Sequence, residues 1–429
     1  MLRIKILFLL LAAAMNVNAQ SKTDKFLQDI FKKNNDSVFN QVINDPLKYR
    51  LQIIYTQINR DKNNKPVLKN YYFNYDPELY FNPASMVKMP LAFLSLQKLN
   101  ELNVAGLDRN AEMIFGKNQP WQTVMDIDTT AANGKPTIAH FIKRAFLVSE
   151  NDPYNRMYQF LGQGYIKNSM ESMGFDARIT RQFLGLTPEQ NRYTNAISFM
   201  GSRGNILYQQ PAGYNAEEFD FSKIIKLGKA HINRNDELVN EPFDFTKHNF
   251  ISLESMQQML QSVMFPATVP AKQRFNLKND DLRFLYQYLS QYPSETPDPK
   301  YDAEKFYDSY VKFFFRDSNR TMPSHVRVFN KVGWSYGFLT DVSYVVDFKN
   351  KVEYMLSATV YVNSDEVLND GKYDYDNIGY PFLRQLGKTI YEFELKRKRK
   401  HKPDLSSFNI DYEKRDPNDK RKVLGDIDN

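Results

Sequence analysis

Two residues of complementary chemistry stand three apart in the stretch FNPASMVKMP: Ser85 and Lys88. A serine hydroxyl is a weak nucleophile until a base takes its proton, and an amine one helical turn along can be that base. The pattern is cheap, because Ser95/Lys98 and Ser309/Lys312 match it too. Context separates the three. Ser95 and Lys98 fall in mid-helix and Ser309 and Lys312 lie in YDSYVKFFF, where a polar helix surface explains each pair. Ser85 begins its helix. Free backbone N–H groups and the positive end of the dipole favour a developing oxyanion there, although a serine at that position is also simply a good N-cap.

Two further segments add polar groups. FLVSENDP places Ser149 and Asn151 on a turn before a helix, with Asp152 read as N-cap and Pro153 as the first helical residue. FNKVGW places Lys331 and Gly333 where a strand ends and leads into a turn. Alone, the first reads as a capping loop and the second as a solvated strand end. Ser-x-x-Lys at a helix start, then Ser-x-Asn on a helix-entry turn, then Lys-x-Gly on a late strand is, in that order, a specific combination.

With these motifs the sequence resembles the penicillin-recognising serine hydrolases, most closely the class A β-lactamase-like catalytic domain. The segments PASMVKMPLAF, VSENDPYNRMYQFLG and KVGWSYGFLTDVSYVVDF carry the likeness, which covers roughly residues 40–210 and 250–390. It also accommodates Pro90, whose ring would otherwise crowd the carbonyl of Met86 inside a helix. The resemblance implies that Ser85 is the acylated nucleophile and Lys88 its base. Ser149 would relay a proton to the leaving nitrogen, and Asn151 would bind the substrate amide and orient Lys88. Backbone N–H groups of Ser85 and Trp334 would form the oxyanion hole. Lys88 must then be neutral part of the time. Burial and the ammonium of Lys331 both favour that, the latter by about 4 kcal/mol at about 4 Å and an effective dielectric near 20. The implied substrate is a small-molecule β-lactam or a cell-wall peptide amide. A D-Ala-D-Ala carboxypeptidase or transpeptidase-like enzyme, and a non-catalytic envelope binding module on the same fold, are the alternatives. No cofactor, metal or nucleic acid is implied.

Two departures from the family pattern stand out. Val332 occupies the place between Lys and Gly where the family carries Thr or Ser to help hold a substrate carboxylate, and Ser335 is the candidate substitute. The deacylating Glu-x-x-x-Asn pattern is missing from residues 177–216, where Glu189 is the only carboxylate and hence the candidate base. A rival motif, GWSYG at 333–337, matches the Gly-x-Ser-x-Gly elbow of α/β-hydrolases. That elbow needs a following helix and a later histidine. Here a strand follows, and the only later histidine is His401. The remaining histidines show no close metal-ligand spacing.

The elements that must position these residues are legible in outline. Residues 21–34 read as a helix, 51–57 and 70–75 as strands, and 85–102 as a central helix. Residues 136–147 and 252–264 read as helices, and 279–315 as helical with the breaker SETPDP. Three strands follow at 326–332, 341–348 and 352–362, the last two joined by a turn at Lys349-Asn350. Strands at both ends with helices between them predict an α+β fold: an antiparallel sheet flanked by helices, with an inserted all-helical region, as in the β-lactamase/transpeptidase family. The domain runs from 20 to 395, with an enlarged segment at about 204–325.

The chain has 429 residues, is 42% hydrophobic and 14% aromatic, and can therefore bury a sizeable core. Arg3 and Lys5, an apolar run from Ile6 to Met15 and VNA before Gln20 predict a cleaved signal peptide at 1–19. With no cysteine, and so no disulfide or lipid-anchor thiol, the mature chain is expected to be periplasmic or secreted, without a transmembrane segment. The net charge of +7 is partly local to KRKRKHK at 396–402. Residues 396–429 read as a basic, flexible tail, with contact to anionic envelope surfaces as the alternative to simple solvation.

Overall fold

The structure, a computed structural model, describes residues 21–416 and 418–427. The segment read as a signal peptide, 1–19, lies outside the described residues. No helix among the described residues is long and apolar enough to cross a membrane.

Five antiparallel strands form the central sheet: β1 (Gln52–Arg60), β2 (Pro66–Phe73), β3 (Val326–Ser335), β4 (Phe338–Asp347) and β5 (Val352–Tyr361), in the spatial order β3-β4-β5-β1-β2. β4 and β5 are buried on both faces, which is why they read as near-continuous Val, Tyr and Leu rather than as an alternating pattern. One face, with Ile54, Phe329, Val342 and Met355, meets the main helical region. The other, with Tyr55, Val328, Val332 and Leu356, is covered by α1 (Lys25–Phe31), α2 (Ser37–Asn44) and the late helix Tyr380–Lys396. The helical region is built on α3 (Lys88–Leu102), α4 (Ile138–Leu147), α5 (Asn151–Leu161), α6 (Gln163–Met173), α7 (Leu253–Met264) and α8 (Asn279–Ser290), and α3 packs against α4 and α5. This is the expected α+β arrangement. The inserted region is not all-helical as expected: the middle of the chain also carries small sheets, among them the hairpin of Ala230–Ile232 with Leu238–Val239.

Several local expectations are corrected. The strand carrying Lys331 does not end at Gly333 but runs on to Ser335, which pairs with Phe338. The turn is Tyr336-Gly337, both at positive φ (52° and 80°), as a two-residue hairpin turn of this twist requires. GWSYG therefore lies on a strand and hairpin, not on a strand-to-helix elbow. The α5 cap is Glu150, not Asp152, and Pro153 sits in the first turn, where backbone N–H groups have no intrahelical partner to lose. Pro90 is explained the same way. A short 3-10 turn, Ala84–Val87, precedes α3, so the α-helix proper starts at Lys88 and Pro90 lies in its first turn.

Between α8 and β3 the chain is not helical apart from a 3-10 turn at Phe313–Phe315, and Ser309 and Lys312 are buried rather than displayed on a helix surface. Ser95 is buried too. The segment read as a solvated tail packs on the body. Arg397 and Arg399 both pair with the buried Glu394, and Leu405 and Phe408 enter the core beside Phe265, Phe329 and Tyr344. Charged composition masked these few apolar anchors.

Candidate active site

Three segments converge between α3, the α4–α5 turn and the edge strand β3. Ser85 sits on the 3-10 turn. Its predecessor Ala84 has φ 46°, a left-handed conformation that costs a non-glycine residue about 1–3 kcal/mol and aims the next side chain sharply. The cap of α3 is Val87, so the alternative reading of Ser85 as an N-cap does not hold. Its Oγ instead lies 2.6 Å from Lys88 Nζ. Ser149 precedes α5 with φ 70°, a second strained position. That turn presents the Ser149 carbonyl at 2.6 Å and Asn151 Oδ1 at 2.7 Å to the same lysine nitrogen. From β3, Lys331 Nζ donates to Ser149 Oγ at 2.8 Å.

The three oxygens at 2.6–2.7 Å match the three donors of a charged lysine, and a neutral amine fits them too when Ser85 is the donor. Neutral lysine has two N–H donors and one lone pair. The donors are matched by the Ser149 carbonyl and Asn151, which leaves the lone pair for the Ser85 hydroxyl. Electrostatics favour the neutral form. Lys88 is fully buried, and burial first, then the charge of Lys331, hold its pKa well below the usual lysine range; Glu150 opposes this weakly, being committed to Arg144. Lys331 is itself lowered to about 7, chiefly by burial, with Asp341 opposing and Lys312 adding to the effect. The charge of Lys331 is among the causes that lower Lys88, whereas Lys88 is not among those that act on Lys331.

Strand alternation sorts the β3 residues. Lys331, Gly333 and Ser335 share one face, while Val332 and Trp334 belong to the other. A Cβ on Gly333 would lie 2.4 Å from the Pro83 carbonyl and 3.0 Å from the Met86 nitrogen, so only glycine lets the Ser85 turn rest on this strand. Val332 is buried in the core on the far face and does not line the cleft. Trp334 reaches the cleft from the sheet edge, its ring packed on Phe313 and Tyr310. Ser335 Oγ accepts from Asn82 Nδ2 at 2.8 Å, and Asn82 Oδ1 accepts from the Ala84 N–H at 3.2 Å, so Asn82 ties β3 to the Ser85 turn.

Glu189 is not brought to the site. Its side chain is 60% exposed, pairs with Arg192 at 3.5 Å, and does not line the cleft. The proline turn that precedes it carries it to the surface.

The sequence reading also missed three residues. Asn82 was detectable only as an Asn-Pro turn signal. Phe183, whose ring centroid lies 5.2 Å from Lys88 Nζ, helps shield that amine from water and is held by the Phe183 N–H donating to Asn155 Oδ1. Asn191 accepts from the Gln182 N–H at 2.7 Å and fixes the same loop. Nothing in the local sequence marks the last two.

Ser85 and Asn151 open on a cleft of about 830 Å³ that is also lined by Arg181, Phe183, Arg234, Tyr310, Trp334 and Tyr336. No aspartate or glutamate among the described residues lines it.

No protein-family model matches the chain, and no curated protein matches it. Among solved structures it is similar to a class A β-lactamase from Clostridium kluyveri, at 13% identity over 83% of this chain and 99% of that one, with a TM-score of 0.45. The β-lactamase from Sphaerobacter thermophilus gives 10% identity over 83% and 97%, with a TM-score of 0.44. That from Desulfarculus baarsii gives 12% over 82% and 95%, with a TM-score of 0.42. Likeness at this level says nothing of activity.

Proposed function

We propose that the chain is a serine hydrolase of the β-lactamase-like kind, acylated at Ser85 by β-lactams or related cell-wall peptide amides, and that it works in the periplasm or outside the cell after loss of residues 1–19. The observation that carries this reading is the 2.6 Å approach of Lys88 Nζ to Ser85 Oγ with the lysine fully buried. Neutral Lys88 takes the Ser85 proton as Oγ attacks the amide carbon. The oxyanion is held by the backbone N–H groups of Ser85 and Trp334. Ser149, hydrogen-bonded by Lys331, gives its proton to the leaving nitrogen and regains one from the Lys88 ammonium 3.4 Å away, while Asn151 orients both Lys88 and the substrate amide.

Hydrolysis of the resulting ester needs a base for water. The cleft offers no carboxylate among the described residues. This supports a slow second step and favours carboxypeptidase- or transpeptidase-like behaviour over rapid β-lactam turnover. The test is intact mass followed over time after adding benzylpenicillin, with Ser85→Ala alongside. A stable adduct in the wild type alone is expected. Fast drug loss with only a transient adduct would place the enzyme with the β-lactamases, and no adduct would refute the reading.

A further inference from the structure

The cleft opens at one end of the central sheet, where the Tyr336-Gly337 turn joins β3 to β4. The opposite end has a different character. β1 and β5 are antiparallel, and Arg60 at the end of β1 pairs with Glu353 at the start of β5, so the β1–β2 and β4–β5 turns lie side by side there. Those turns carry Lys62 and Lys65, and Lys349 and Lys351, all exposed.

The chain that follows the late helix is drawn across the same end. Arg397 donates to Asn59 Oδ1 at 2.6 Å and to the Ile58 carbonyl at 3.0 Å. Further on, Asn64 Nδ2 donates to the Asp404 carbonyl at 3.2 Å, and the Asp404 N–H donates back to Asn64 Oδ1 at 3.0 Å. Along this stretch the residues alternate. Arg397 and Arg399 turn inward to Glu394, while Lys396, Lys398, Lys400 and Lys402 are exposed. Arginine forks, suited to a buried carboxylate, hold the segment down, and the lysines are displayed.

Lysines elsewhere pair with acids, as Lys223 does with Glu78 and Lys305 with Asp426, but none of these makes an ion pair with a described residue. The acids nearby are engaged: Glu353 and Glu394 by arginines, and Asp61 by the Asn63 and Lys65 N–H groups of its own turn. Asp404 stands exposed among the lysines. Like charges gathered on one face repel one another, and an anionic surface laid against them offsets this. Two exposed apolar side chains, Val67 and Leu395, border the lysines. A basic face with an apolar fringe fits lipid headgroups and the acyl boundary beneath them better than it fits a soluble polyanion.

We infer that this end of the sheet docks on an anionic phospholipid surface. The length of β4, about 30 Å, then separates the bilayer from the turn beside the cleft and leaves the cleft open. The inference is independent of whether Ser85 is acylated.

The chain from Gln20 onward, which contains all the described residues, is sedimented with vesicles of phosphatidylcholine alone or mixed with equal parts of phosphatidylglycerol. It should bind the anionic vesicles alone, and high salt should release it. Each lysine that reaches the surface adds about fivefold to partitioning. Lys396→Gln/Lys398→Gln/Lys400→Gln/Lys402→Gln should thus bind at least about tenfold more weakly, and so should Lys62→Gln/Lys65→Gln/Lys349→Gln/Lys351→Gln. A control, Lys117→Gln/Lys226→Gln/Lys272→Gln/Lys372→Gln, loses the same charge from exposed positions on other segments and should stay within about twofold of the wild type. No binding of the wild type to anionic vesicles overturns the inference. So does an equal loss in the control, which reduces the effect to net charge, or binding unchanged in either lysine variant. Retention of the wild type on polyphosphate without vesicle binding assigns the face to a soluble polymer and overturns the bilayer partner. The substituted side chains are exposed, and thermal melting checks each fold. The lipid and salt dependence of the wild type tests the inference without any variant.

Discussion

Lys88 Nζ touches four oxygens of only three residues: Ser85 Oγ, the Ser149 carbonyl, Asn151 Oδ1 and, at 3.4 Å, Ser149 Oγ. One fully buried lysine nitrogen thus links the Ser85 turn to the α4–α5 turn. The proposed role as a base requires it to be neutral, and burial and the charge of Lys331 both push it in that direction.

Lys88→Met should therefore abolish the base while keeping an unbranched chain of similar length in the site. Acylation by benzylpenicillin should fall about a thousandfold. Lys88→Arg should not rescue it, because a guanidinium stays charged. Adduct formation by intact mass reads both, and thermal melting checks that each variant folds.

The acylation rate should be bell-shaped in pH. It rises as Lys88 loses its proton and falls as the Lys331 ammonium is lost near pH 7, the value to which burial lowers it. Lys331→Arg keeps the charge and should remove the alkaline limb. Rates measured across pH 5 to 9 would show this.

Buried lysines also tie stability to pH. Lys312 and Lys331 have folded-state values lowered to about 7 from 10.5. Between pH 7 and 9 the unfolded chain therefore binds more protons than the folded one, and stability rises with pH. Urea denaturation at pH 7 and pH 9 should give a higher midpoint at pH 9.

Gly333→Ala places a methyl group 2.4 Å from a backbone carbonyl that cannot move without displacing Ser85. A stability loss of about 1–3 kcal/mol is expected, together with a much larger loss of acylation. Denaturation curves and adduct rates measured on the same preparation separate the two.

Glu189→Gln should leave the adduct lifetime unchanged within about twofold, since an exposed surface pair contributes little. The lifetime is read from intact mass after removal of free drug.

The site was legible because its residues lie on elements whose period fixes their facing. Ser85 and Lys88 are one turn apart, and Lys331 and Gly333 share a strand face. What misled the reading depended on tertiary context. Glu189 has the right chemistry but follows a turn that leads to the surface. A tyrosine at positive φ in the Tyr336-Gly337 turn gives no local signal, so the strand expected over 326–332 stops three residues short of Ser335. Lys312 looked like a surface lysine, yet it donates to the Leu289 and Val328 carbonyls and to Asn330 in the core. Leu405 and Phe408 were outweighed by their charged neighbours.

The central claim is that Ser85 is the nucleophile and buried Lys88 its base. It is tested most directly by peptide mapping of the protein after benzylpenicillin, in the wild type, Ser85→Ala and Lys88→Met. The account predicts a covalent adduct on Ser85 in the wild type, none in Ser85→Ala, and only a trace in Lys88→Met over the same time. An adduct on another residue, equal labelling of the Lys88 variant, or no labelling of the wild type would contradict it.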